Sequence, residues 1–269
     1  MFKNLKLRAK IVLLSMSATI LPVLIIGVFV AKLNTDMRVA ATEESIELAK
    51  TDLDHIAESV YRMAETQNDV LTKALTSYLN IAREIAEDLG GISFAYENVP
   101  WNAVNQYTQN SIPVDLPKML VGNTWFGQTR DLGTSVPVVD RVKNLAEDVT
   151  CTVFQRMNAN GDMLRAATNV VKTDGTRAIG TYIPRTNPDG KPNPVVSEVL
   201  RGQTFSGRAF VVDRWYLTTY EPIYNKDKYI VGMLYVGIPQ ESVQSLRQAI
   251  YDIEIGDTGY LYVLDSQGH

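Results

Sequence analysis

Histidine and cysteine are nearly missing from this sequence. Two histidines, His55 and His269, and one cysteine, Cys151, are found among 269 residues. A zinc-type site needs three or four such ligands at set spacings, and this stock cannot supply them. A Ser-His-Asp or Cys-His nucleophile would have to use His55, which lies in a long polar helical segment. Phosphate-cradling glycine loops are missing too: there is no G-x-x-x-x-G-K-[ST] run and no G-x-G-x-x-G after a strand. The reading is therefore no catalytic residue, no metal and no cofactor. One cysteine suits an oxidising compartment, and within its β-branched run Cys151 reads as a buried, inert thiol. The acid pairs Glu43-Glu44 and Glu87-Asp88 read as solvated helix faces, because acid/base work needs burial that a polar helix surface lacks.

Acids are absent from the first ten residues, which hold four of the 26 basic residues, Lys3, Lys6, Arg8 and Lys10. The remainder carries 22 basic against 30 acidic residues. An acidic body of this kind argues against nucleic acid, and its basic head meets a different environment. Charge is then missing from Ile11 to Ala31, IVLLSMSATILPVLIIGVFVA, and about 20 apolar residues span a bilayer as a helix. The basic excess before it places the N-terminus in the cytoplasm and the rest outside the cytoplasmic (inner) membrane. A cleavable signal would have a shorter apolar run ending in a small-x-small site, so an uncleaved anchor is expected.

Proline and glycine are absent from Leu33 to Leu89. Apolar or small residues recur at Ile46, Ala49, Leu53, Ile56, Val60 and Met63, and again at Leu71, Leu75, Tyr78, Ala82, Ile85 and Leu89. The step of eight between Met63 and Leu71 is a stutter in a coiled-coil stripe. The spacing predicts a long stalk helix over 32–91 whose apolar face packs in part on its own domain and, in the membrane-proximal half, along a second copy, giving a homodimer through the stalk, and Gly90-Gly91 ends it. Residues 92–148, punctuated by Pro100, Pro113, Pro117 and Pro137, are expected to form short helices and loops, with a helical turn or two over Val138–Leu145.

From Val149 the period changes to two. Val149–Met157, Leu164–Val171, Arg177–Ile183, Phe205–Val212, Trp215–Tyr224 and Tyr229–Ile238 read as strands of an antiparallel sheet, with a short helix over Val195–Leu200. Pro239 opens a final helix to about Ile253.

The blocks TCTVFQRMNANGDMLRAATNV, RAIGTYIP, GKPNPVVSEVLRGQTFSGRAFVVDRWYLTTYEPI and GMLYVGIPQESV resemble the extracytoplasmic Cache sensor domain of bacterial methyl-accepting chemotaxis proteins, more narrowly the Cache type-3/type-2 fusion. The resemblance implies an α+β fold with a PAS-like antiparallel sheet beside the long helix, and ligand sensing without chemistry. It also implies a cytoplasmic basic tail over 1–10, the transmembrane helix over 11–31, the stalk to 91 and a first Cache unit over 92–240. Residues 241–269 would then be a linking helix and the truncated start of a second unit, since IGDTGYLYVLDSQGH reads as a strand running into a turn. The sensor of a membrane histidine kinase or cyclase, or a structural adhesion module, fits less well.

A small carboxylate is the favoured ligand. Alternation places Tyr216, Thr218 and Tyr220 on one face of their strand, and Trp215, Leu217 and Thr219 on the other. Arg208 and Phe210 share a face of the preceding strand, and Phe154 and Arg156 share one on the first. A guanidinium forks onto carboxylate oxygens and tyrosine hydroxyls add donors, so the candidate contacts are Phe154, Arg156, Tyr182, Arg208, Phe210, Trp215, Tyr216 and Tyr220. In the amino-acid-binding relatives implied by the resemblance, an acid follows the Trp-Tyr pair. Thr218 stands there in this sequence, which favours an organic acid over an amino acid.

Overall fold

The computed structural model of the chain describes residues 7–240, 248, 250–255 and 259. The expected linking helix and the opening of a second unit lie for the most part outside these residues, as do Lys3 and Lys6. Helix α1 runs over Leu7–Asp88 and includes Pro22. The chain divides into two compact units, one ending at Arg62 and the other beginning at Met63.

The first unit is helix throughout its described residues. Over 15–31 its apolar side chains are exposed, Ile20, Leu24, Ile25 and Phe29 among them. Such a surface offers water no polar face. Ser15 and Thr19 donate back to the carbonyls of Val12 and Ser15, at 3.0 Å each, so the few polar groups of the run are satisfied within the helix. Among the described residues this is the one helix long and apolar enough to cross a membrane. Further along, Ile46 and Leu53 stay exposed at 63% and 45%.

In the second unit α1 gains a buried stripe of Leu75, Leu79, Ala82 and Ala86. The centre of the stripe lies one residue from Tyr78 and Ile85, which pack at its flank. The helix closes as a Schellman turn: Gly91 N–H donates to the Ala86 carbonyl and Gly90 N–H to that of Glu87, with Gly90 at φ 104°.

Among the described residues nine strands and two short helices follow. They are β1 (Ile92–Asn105), β2 (Ser111–Val121), β3 (Thr124–Trp125), α2 (Val139–Leu145), β4 (Thr150–Arg156), β5 (Met163–Thr168), β6 (Thr181–Ile183), α3 (Pro194–Leu200), β7 (Phe205–Val211), β8 (Arg214–Tyr224) and β9 (Ile230–Pro239). One sheet holds them in the order β3-β2-β1-β6-β5-β4-β9-β8-β7. Every pairing is antiparallel except β1 with β6, where Val104 faces Thr181 and Asn105 faces Tyr182 in parallel. The α1 stripe packs on one face of the sheet with Cys151, Val153, Leu234 and Val236, and α3 covers the other face over Phe154, Tyr220 and Tyr235. Cys151 is fully buried, and burial pushes its thiol up, away from thiolate chemistry.

The long hairpin β1–β2 replaces the loops expected over 92–148. Prolines read as breaks because they cannot donate to a ladder, yet an edge needs no donor. Pro113 and Pro117 lie where β2 has β1 as its one strand neighbour, and Pro100 lies where β1 has only β2. The outward carbonyls of Pro100 and Pro117 accept from Gln128 and Gln155 side chains, at 3.0 Å each. The expected turn over Val138–Leu145 is α2.

Candidate ligand-binding site

Strand β5 contains the residue on which the site turns. Opposite Val153 stands Ala167, but opposite Phe154 stands Arg165, so Ala166 is an extra residue in the ladder. This bulge leaves both Ala166 and Ala167 among the residues packed with α1, and turns Arg165 to the α3 side. There the guanidinium is fully buried, 5.0 Å over the Phe154 ring. Its Nη1 donates to Thr181 Oγ1 at 2.6 Å and its Nη2 to Gln106 Oε1 at 3.2 Å. Neither Asp nor Glu is paired with it, and Nε has no partner, among the described residues. Burial lowers the affinity of this arginine for its proton, opposed most by the nearby Tyr220 hydroxyl and then by Tyr235, Tyr216 and Tyr107.

Tyr220 is the second buried group left short. Its ring sits 6.2 Å from Phe154 and 4.8 Å from Tyr235, and its hydroxyl has no partner among the described residues. Burial pushes that hydroxyl up while Arg165 pulls it down. Tyr235 is satisfied, with its hydroxyl 3.0 Å from Thr150 Oγ1. That pose depends on Gly237, where a Cβ would lie 2.2 Å from the Tyr235 hydroxyl oxygen. A third unpaired group, Trp101 Nε1, belongs to the separate cluster that includes Tyr182.

Two other arginines show what this guanidinium is without. Arg83 on α1 uses its Nε and Nη2 to hold both oxygens of Glu221, at 2.8 and 2.6 Å. Arg177, equally buried, holds both oxygens of Asp140 at 2.9 and 2.8 Å and donates Nε to the Asp131 carbonyl at 3.0 Å. The Nε/Nη2 edge of Arg165 has one long bond to a neutral amide. A buried charge without a counter-charge is expensive, and an incoming anion would correct it. A carboxylate is one group whose two oxygens match the edge of such a fork.

Of the residues singled out in the sequence, the structure brings Phe154, Tyr216 and Tyr220 to this side of the sheet. Arg208 pairs with Leu217 and Phe210 with Trp215, which puts all four on the opposite side of the β7–β8 ribbon from Tyr216 and Tyr220. Arg208 lies 4.3 Å over Trp215 there, and Phe210 meets that ring edge-on. Arg156 ties down the following turn, its Nε and Nη2 donating to the carbonyls of Asn158 and Ala159. Tyr182 packs with Leu164 on the reverse side of β6, while its neighbour Thr181 reaches Arg165. An open cavity of about 200 Å³ lies against Tyr216, lined by Lys143, Lys172 and Arg214 with one acid, Glu147. Its basic lining attracts anions, but Phe154, Arg165 and Tyr220 are not among the residues that line it.

Tyr220→Phe removes a hydroxyl that has no partner among the described residues. The variant is expected to melt within a few degrees of wild type or above it, and to bind a carboxylate about tenfold more weakly. Thermal melts and calorimetry check the two halves.

A fully buried guanidinium with no acid paired to it among the described residues, on the sheet face covered by α3, is the chemistry of anion binding. Residues 39–269 match the Cache 3/Cache 2 fusion domain, and the chain belongs to that family. Cache domains are extracytoplasmic ligand-binding modules, and the long helix followed by a mixed, mostly antiparallel sheet is the α+β Cache fold. No curated protein sequence matches the chain.

Proposed function

We propose that the chain is the ligand-sensing region of a transmembrane chemoreceptor, anchored by residues 11–31, which binds a small carboxylate outside the membrane and signals for chemotaxis. The observation that carries this reading is Arg165, a fully buried cation with a free Nε and no acid paired to it among the described residues. Phe154 and Tyr220 complete the proposed contact set.

Strand β8 supplies a path for the signal. Tyr220 faces Arg165, and the next residue, Glu221, faces the other way and grips Arg83 of α1. A ligand that drew Tyr220 toward itself would displace Glu221 and hence the helix. It shifts the equilibrium only by its difference in affinity for the two arrangements. The exposed Ile46 and Leu53 of the first unit fit a stalk that pairs with a second copy.

Deleting the gene from its host and scoring movement in gradients of organic acids tests the receptor reading. Loss of taxis to at least one acid, restored by the wild-type gene and not by Arg165→Met, is expected. Intact taxis toward an acid that the purified chain binds would transfer the sensor to a kinase or cyclase.

A further inference from the structure

Gln106 is the one side chain among the described residues that bonds the Nε/Nη2 edge of Arg165. It sits on the turn between β1 and β2. The turn is fixed internally: Asn105 Oδ1 accepts from the amides of Tyr107 and Thr108 at 2.9 and 3.2 Å, and Gln109, at φ 60°, donates its side-chain amide to the Gln106 carbonyl at 2.9 Å. Outside itself the turn is tied to β6 by its backbone, the Gln106 N–H donating to the Tyr182 carbonyl at 3.1 Å, and Asn105 Nδ2 donates to the Tyr182 hydroxyl at 3.3 Å. Tyr107 stacks on Phe210 with centroids 6.2 Å apart, and its hydroxyl accepts from Asn193 at 3.1 Å. The Gln106 side chain is buried, yet both of its bonds are long: 3.2 Å from Arg165 Nη2 and 3.4 Å to the Phe210 carbonyl. The carboxylates on Arg83 and Arg177 sit at 2.6–2.9 Å. An amide oxygen thus stands, loosely, where one oxygen of a forked carboxylate belongs.

We propose that Gln106 is a specificity-determining latch: a neutral stand-in for the ligand's carboxylate, which the ligand must displace from Arg165 Nη2. This rests on the carboxylate reading of the site. Displacing the Gln106 side chain breaks its bonds to Arg165 and to the Phe210 carbonyl of β7, so occupancy is felt at the β1–β2 turn as well as at β8. It also makes the site select a full negative charge. A neutral amide or alcohol offers Nη2 nothing better than the glutamine it would replace.

The consequence is unusual for a buried substitution. Gln106→Glu, nearly equal in shape, supplies the missing charge from within and turns the latch into a tethered ligand. The full chain in lipid nanodiscs is melted as wild type, Gln106→Glu, Arg165→Met and the double variant. Each is then titrated calorimetrically with acetate, pyruvate, succinate, malate and citrate. Gln106→Glu is expected to melt higher by roughly 3–10 °C, to lose that gain when Arg165 is Met, and to bind acids at least about 100-fold more weakly. Gln106→Ala, which removes the competitor, is expected to bind about three- to tenfold more tightly. A Gln106→Glu chain that melts lower, or whose gain survives in the Arg165→Met background, overturns the latch. So does wild-type affinity in both Gln106 variants. Failure of the wild-type chain to bind any acid of the panel overturns the carboxylate reading itself, and the competition with it.

Discussion

Arg165→Met is expected to melt roughly 3–10 °C above the wild-type chain and to lose carboxylate binding altogether. The direction follows from what the guanidinium has around it. It is fully buried against Phe154, Tyr220 and Tyr235, and its charge meets one hydroxyl and one amide oxygen. Replacing buried ion pairs by apolar side chains of similar volume is often neutral or stabilising, by up to about 1–4 kcal/mol, and a lone buried guanidinium has the desolvation cost without the partner's attraction to offset it. In a unit of this size each kcal/mol moves the midpoint by about 2–4 °C. Little is stranded by the change. Thr181 Oγ1 keeps its bond to the Ala178 carbonyl at 2.8 Å, and Gln106 Nε2 keeps the Phe210 carbonyl. A residue whose removal strengthens the fold while removing its activity is held there for the activity. Melting below wild type would instead make Arg165 a structural member of the core.

The other buried arginine carries the opposite expectation. Arg177→Ala should lower the midpoint by on the order of 10 °C, read in the same thermal melt. Arg177 donates to both oxygens of Asp140 and to the carbonyls of Asp131, Thr134 and Thr168, at 2.8–3.0 Å. It thereby fastens the segment before α2, the first turn of α2 and the end of β5 to one another. Removing it leaves Asp140 without its counter-charge and several carbonyls without donors. Breaking a buried pair from one side costs about 3–5 kcal/mol. Ligand affinity should change little at temperatures where the fold persists, because the Arg165 contacts include none of these groups. Both arginines are almost fully excluded from water, yet one is satisfied and the other is not, and the predicted signs follow from that difference.

Strands β4 and β7 to β9 were legible because each alternates or carries β-branched runs between turn residues, and the Gly90-Gly91 stop was legible from composition. The hairpin β1–β2 was not. Its prolines sit on free edges, a circumstance set by which strands are neighbours and not by local sequence. The candidate site was half legible. Phe154, Tyr216 and Tyr220 followed from alternation, but the same alternation gave no relative phase between β7 and β8. Register alone decides that Arg208 pairs with Leu217 and so lies across the sheet from Tyr216. Arg165 was hidden by its bulge, since in MLRAAT two adjacent alanines share a face and the period of two is lost. A charged residue inside an apolar strand, bounded by Leu164 and Ala166, was the available signal. Gln106 lies 59 residues away on a turn that only the fold brings to Arg165.

Calorimetric titration of the full chain in nanodiscs with the five carboxylates addresses the central claim most directly. Saturable binding of at least one acid at one site per chain, abolished in Arg165→Met while that variant stays folded, is the predicted result. Binding of the same acid with unchanged affinity by Arg165→Met would contradict it, and so would the absence of heat from every acid with the wild-type chain.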